Sequence, residues 1–200
     1  MRITFSFIKS LPILFLLLTQ LSLYGQEKEK IEIEKEIKVE ELPSSILLSI
    51  KPLEQEGERF KYYQESDGIN TFYEVKLKFR GDKLSVKYTE LGKIFDLEVE
   101  QPINSLPHEV QDSIQNYFEK HHKKHKLKKL QLNYTYSDLD KDFIMDYVAN
   151  VLTGLTLKYE IEAYLKSDKR NGLYELVFSS QGEIIDIKKI NSRAAEYVMY

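Results

Sequence analysis

Polar and apolar residues trade places with a period of two through most of this chain. Tyr73, Val75, Leu77 and Phe79 alternate with Glu74, Lys76 and Lys78, and Leu84, Val86 and Tyr88 alternate with Ser85 and Lys87. That period belongs to strands with one buried and one polar face. It returns over 157–165, 173–178 and 184–190. Leu130, Leu132, Tyr134 and Tyr136 likewise share one face of a strand whose other face carries Gln131, Asn133 and Thr135. A further leading strand is predicted over 59–64. Turns at Gly81-Asp82, Gly92, 169–172 and Gly182 link neighbouring strands into an antiparallel meander. Two stretches break the rhythm. Ile46, Leu47 and Ile50 fall at helical spacing between Pro43 and Pro52, as do Val110, Ile114, Tyr117 and Phe118 after Pro107.

The order of helix then strands occurs twice, with matching residues. Leu42-Pro43 with Ile46 and Ile50 returns as Leu106-Pro107 with Val110 and Ile114. Tyr73-Glu74-Val75 returns as Tyr159-Glu160-Ile161. Tyr88, Gly92, Ile94 and Asp96 return at the same spacing as Phe178, Gly182, Ile184 and Asp186. Each copy of such a repeat reads as one supersecondary unit. The expectation is an α+β fold of two tandem units, each a helix packed on an antiparallel meander sheet, the first over 42–100 and the second over 101–200. One sheet face covers the helix and the other stays polar. The second copy is longer between its Leu-Pro and Tyr-Glu blocks. The excess falls on 139–154, where Phe143, Tyr147 and Val151 predict an inserted helix ended by Gly154.

Residues 1–25 have the pattern of a secretory signal peptide: Arg2 and Lys9, an apolar run over 11–18, then Gly25 before a polar stretch. The apolar run is shorter than the roughly 20 residues a transmembrane helix needs. Cleavage after Gly25 is expected, with an uncleaved anchor as the alternative. In the following 26–41, Ile31, Ile33, Ile37 and Val39 alternate with charge. That segment reads either as a charged tether or as an edge strand. The chain has no cysteine and a formal net charge of −3. The first fact excludes disulfides, a thiol nucleophile, thiolate metal ligands and a lipidated cysteine. The second gives no reason to expect a nucleic-acid partner. A periplasmic or secreted location follows from the leader, with no membrane span after cleavage.

Candidate chemistry is sparse. There is no His-Glu-x-x-His, no Gly-x-Ser-x-Gly, no phosphate loop and no dinucleotide glycine pattern, so no catalytic residue and no enzyme activity is assigned. Asp138, Asp140 and Asp142 alternate as in a calcium loop but lack its glycine and terminal glutamate. His121 and His125 on one helix face would make a two-ligand clamp. Six lysines crowd that stretch, so it reads as a solvated basic helix end, and no metal or cofactor is expected. The polar sheet faces remain. Glu74, Lys76, Lys78 and Lys87 in the first copy and Glu160, Glu162, Tyr164 and Lys166 in the second form the candidate partner-binding set, mixed charge around an aromatic residue.

The quoted blocks resemble the PepSY-like domains of secreted bacterial proteins, the group related to beta-lactamase inhibitor protein. The resemblance rests on Leu42-Pro43 and Leu106-Pro107, Tyr73-Glu74 and Tyr159-Glu160, and the Gly-to-Asp blocks ending at Asp96 and Asp186, and it covers roughly 37–190. It implies a tandem α+β fold and a non-enzymatic binding or inhibitor-like role, engaging a protein or peptide in the cell envelope through the sheet surface. A small-molecule or metal-ion sensing module built on the insert and the histidines is the alternative.

Overall fold

The computed structural model describes residues 28–136 and 142–191. The predicted leader, the start of the insert with Asp138 and Asp140, and the last nine residues lie outside the described residues. In chain order the elements are β1 (Glu29–Lys30), β2 (Ile33–Ile37), α1 (Ser44–Ile50), β3 (Gly57–Ser66), β4 (Thr71–Phe79), β5 (Asp82–Thr89), β6 (Ile94–Glu100), α2 (His108–His121), β7 (Lys124–Thr135), α3 (Ile144–Val148), β8 (Thr156–Lys166), β9 (Asn171–Ser179) and β10 (Ile184–Ile190).

The expectation of two tandem helix-on-sheet units is overturned. All ten strands form one mixed sheet in the order β1-β10-β9-β8-β7-β6-β5-β4-β3-β2. The seam between the repeats is closed by β6 and β7, whose ladder runs from Leu97↔Tyr134 to Glu100↔Gln131. An unpaired strand on each side of that seam would have left two rows of unsatisfied N–H and C=O groups. Pairing also keeps parity, since Leu97, Val99, Leu132 and Tyr134 all face the helices. Leu132 packs against both apolar clusters, one beneath α1 and one beneath α2, so the core is continuous across the former boundary.

Both helices cover the same face. Ile46 and Ile50 of α1 meet Val75, Val86, Tyr88 and Leu97, and Val110, Ile114 and Phe118 of α2 meet Ile161, Tyr174, Leu176 and Phe178. The insert contributes a helix of only five residues, which stops at Ala149 before Asn150 in a left-handed conformation, short of Gly154. Phe143 and Ile144 are buried in the first cluster, so the insert completes the core beneath the first copy although it belongs to the second.

The other face is rolled inward, and the N-terminal segment is what closes it. β1 runs parallel to β10, with Lys30 opposite Ile190, and β2 runs antiparallel to β3, with Ile33 opposite Ser66. Only residues 31 and 32 separate these two ends of the strand order. Three residue steps span at most about 11 Å. The edge strands of a flat eight-stranded sheet would stand about 34 Å apart. The sheet from β3 to β10 therefore curls until one short segment bonds both of its edges. Ile190 and Ser66 lie at opposite ends of the sheet, and that offset is the stagger that accumulates when a sheet rolls up.

Candidate functional site

Rolling turns the polar face into an interior. Glu65, Glu74, Asp96, Asn133 and Glu175 are each less than about a tenth exposed. The closing segment is charged towards this interior and apolar towards water. Lys30, Glu32 and Glu34 face in, while Ile31 and Ile33 are 45% and 40% exposed.

A β-bulge places Asp96 there. Tyr88 pairs with Ile94 and Lys87 with Asp96, which leaves Phe95 as the extra residue. Strict alternation from Ile94 would set Asp96 beneath α1. The bulge reverses the parity, so Asp96 points into the interior and Phe95 sits 40% exposed at its rim. A second bulge in β10, with Ile185 as the extra residue, acts in the same way on Asp186.

Three lysines offset part of the buried acid. Lys30 pairs with Glu175 and lies 3.0 Å from Glu32. Lys76 Nζ is 2.8 Å from Glu34 and 3.1 Å from Glu74, and Lys87 Nζ is 2.9 Å from Glu65. Burial disfavours the charge on all three, but the surrounding carboxylates outweigh it and hold them above the ordinary lysine range. Burial likewise opposes the charge on Glu32, which Lys30 and Lys87 nevertheless keep below its ordinary value.

The remaining carboxylates are under-compensated. Burial pushes Glu65 up to about 7 against the pull of Lys87. Burial, then Glu98 and Glu175, push Glu160 up to about 7. Asp96 stands well above its usual range, first through burial and then through Glu98. The Asn133 amide donates to Asp96 Oδ2 at 3.3 Å and reaches Glu98 at 3.4 Å, and Gln131 donates to Glu98. Asp96 Oδ1 is buried with no hydrogen-bond partner among the described residues.

The interior has two mouths. One, a cavity of about 520 Å³ towards the β4–β5 turn, is lined by seven acidic and seven basic residues and is close to neutral. The other, about 480 Å³ towards the β3–β4 turn, is lined by eight acidic residues and three lysines. Lys30, Glu32, Glu65, Lys87 and Glu98 line both.

The predicted partner-binding residues divide. Glu74, Lys76, Lys78, Lys87 and Glu162 line the neutral mouth, and Glu160 lines the acidic one. Glu74 is only 5% exposed and accepts a hydrogen bond from Ser85. Tyr164 is exposed beneath the Lys128 ammonium, and Lys166 is exposed at the end of β8. Sequence reasoning passed over Lys30, Glu32, Glu65, Asp96 and Glu98, while strand parity already sets Glu175 on the polar face. Glu32 and Glu98 stand between apolar neighbours, so strand parity could have found them, whereas Glu65 lies between Gln64 and Ser66 and gives no such signal.

The histidines do not share a helix face. α2 ends at His121, which stacks on Tyr117 at 4.7 Å, and His125 belongs to β7 and stacks on Phe118 at 4.9 Å. His122 is buried between them with both ring nitrogens unpartnered among the described residues, and burial lowers its pKa. Glu34, Glu65 and Glu74 do bring carboxylate oxygens within 4.8 Å of one another. Each of the three already has a lysine partner, Lys76 for Glu34 and Glu74 and Lys87 for Glu65. Among the described residues no helix is long and apolar enough to cross a membrane.

No family model matches the chain, and no curated protein matches it. Solved structures do. A DUF2874 family protein from Bacteroides ovatus shares 10% identity over 78% of this chain and 96% of its own, with a TM-score of 0.52. A candidate periplasmic protein from Bacteroides eggerthii shares 9% identity over 79% and 98%, with a TM-score of 0.51. A BLIP-like protein from Bacteroides fragilis shares 17% identity over 74% and 86%, with a TM-score of 0.47. At these identities the likeness is one of fold alone, and it is a fold this chain shares with the Bacteroides ovatus protein.

Proposed function

We propose that this chain is a non-enzymatic binding protein of the bacterial periplasm that engages a protein or peptide through the polar face of its rolled sheet. The observation that carries this reading is the interior itself: buried carboxylates outnumber the lysines that offset them, in a cleft open at two mouths. Folding gains little from burying charge, because removing it from water offsets most of the attraction between partners. A charged interior retained in this way is a recognition surface. The leader-like residues 1–25 and the name of the Bacteroides eggerthii structure support the location. The PepSY-like motifs support the binding role.

Selection of random peptides on the immobilised full chain, followed by mapping on the isotope-labelled protein, tests it. Selected peptides are expected to shift amide signals of Lys87, Glu98 and Glu160 and to be recovered uncleaved. Peptides that map to α1 and α2, or that are hydrolysed, would overturn it.

A further inference from the structure

The two mouths differ in more than charge. The acidic one is ringed by exposed apolar side chains, whereas the apolar residues lining the neutral one, Leu77 and Leu84, are buried in the core. Phe72 and Phe95 pack there with ring centroids 5.0 Å apart. Ile69 on the β3–β4 turn is 91% exposed, Leu91 on the β5–β6 turn is 78% exposed, and Ile31 of the closing segment is 45% exposed. Ile69, Phe72, Leu91 and Phe95 line one shallow pocket, and three of them continue into the acidic cavity. Large apolar residues on adjoining turns are an expected docking rim rather than a scatter of exposed side chains.

Beneath that rim lies acid that Lys87 attracts from the neighbouring strand but that no lysine pairs with directly among the described residues. Lys30 is committed to Glu175 and Glu32, and Lys87 to Glu65. Asp96 has only the Asn133 amide on one oxygen, while its other oxygen, Oδ1, is buried and unpartnered among the described residues. A buried acceptor left unmade costs about 1–3 kcal/mol, more when charged. Glu98 and Glu160 stand beside it with raised pKa values, so the same pocket holds three carboxylates that a cation would relieve.

We infer that the acidic mouth receives a lysine or arginine side chain of the partner, carried on an extended segment with apolar neighbours. The cation sits against Asp96, Glu98 and Glu160, and the flanking residues rest on Phe72, Phe95, Ile69 and Leu91. Charge complementarity selects a cationic side chain, and the apolar rim selects one presented by a peptide rather than a free metal ion. This rests on the reading that the polar face binds a peptide, and it names what that face takes. Because burial raises all three carboxylates above their ordinary range, a cation that lowers them releases protons on binding, which weakens as the pH falls.

The test uses the full chain and two capped pentapeptides with leucine on both sides of the central residue, one with arginine and one with uncharged citrulline. The arginine peptide is expected to shift the Phe95 and Glu98 amides and to bind at least about tenfold more tightly than the citrulline peptide. Asp96→Asn is expected to erase that difference while melting no lower than the parent, which separates lost recognition from lost folding. Equal binding of the two peptides overturns the inference. So does calcium chloride shifting the same amides when the arginine peptide does not. Selected peptides that bind only at the neutral mouth also overturn it, while leaving the broader reading intact. If no peptide of either charge perturbs an inner-face residue, both fall.

Discussion

Ser113 Oγ donates a 2.9 Å hydrogen bond to the carbonyl of Gly182, and a methyl group on that glycine would lie 2.9 Å from Ser113 Cβ. The other copy repeats the contact, since a methyl on Gly92 would lie 2.1 Å from Ser45 Oγ. Both glycines have positive φ, +79° and +74°. The turn of each copy is thus the seat on which its helix rests. Gly182→Ala and Gly92→Ala combine a left-handed penalty of about 1–2 kcal/mol with an overpacking cost of about 1–3 kcal/mol. Urea titration is expected to show each variant less stable by roughly 2–5 kcal/mol with an unchanged m value. A loss below about 0.5 kcal/mol would mean the turn does not seat the helix.

Lys30 anchors the closing segment by pairing with Glu175, which is 4% exposed. Among the described residues the other cation beside it is Lys188, at 3.9 Å. Lys30→Met leaves that carboxylate only the more distant Lys188 and is expected to cost about 3–5 kcal/mol, as when one partner of a buried pair is removed. Adding Glu175→Gln is expected to restore most of the loss. Hydrogen exchange supplies an independent readout, since the Lys189 amide donates to Lys28 and should lose protection in Lys30→Met. If the double variant is no more stable than the single, the pair does not anchor the segment.

Burial pushes Glu65 and Glu160 up to about 7 in the fold, from an ordinary glutamate value of 4.5. Between those two pH values the folded chain holds more protons than the unfolded one. The corresponding stability is complete below about 4.5 and is lost as the pH rises through about 7. His122, lowered by burial, acts in the opposite sense below its ordinary 6.5, so variants are more informative than the raw profile. Glu65→Gln and Glu160→Gln are each expected to shrink the stability lost between pH 5 and pH 7.5, measured by urea titration at both. A pH profile identical to the parent's would show that these groups do not titrate there.

Phe143 and Ile144 fill the first core from the second copy, and Arg80 ties α3 back through a 2.9 Å bond to the Val148 carbonyl. Phe143→Ala is expected to cost about 3–5 kcal/mol. That corresponds to a fall in melting temperature of roughly 6–20 °C for a chain of this size. Deleting 142–154 should lower the melting temperature without changing which peptides bind the rolled face. Unaltered stability on deletion would show that the insert is a bystander.

Strand parity carried much of this into the sequence. The alternation around Val75, Val86 and Ile161 correctly marked the face that meets the helices, because burial on one side fixes the register of every neighbour. Three things were out of reach. The repeat read as two units because self-similarity carries no information about whether β6 pairs with β7. The inward turn of Asp96 depends on the bulge at Phe95, which breaks the alternation that a reader counts. The burial of the polar face follows from curvature, and curvature is set by the meeting of β1 with β10 and of β2 with β3, ladders whose partners are far apart in the chain.

That closure also has a consequence in time. The first of the described strands bonds the last of them, and beside that ladder Lys28 pairs with Asp186, 158 residues further on. Until β10 emerges, β1 has no partner and the carboxylates of the interior face solvent. Contacts this distant in sequence slow folding. The acidic interior is therefore the last part of the molecule to exist, and every chain truncated before β10 lacks it however well its helices are packed.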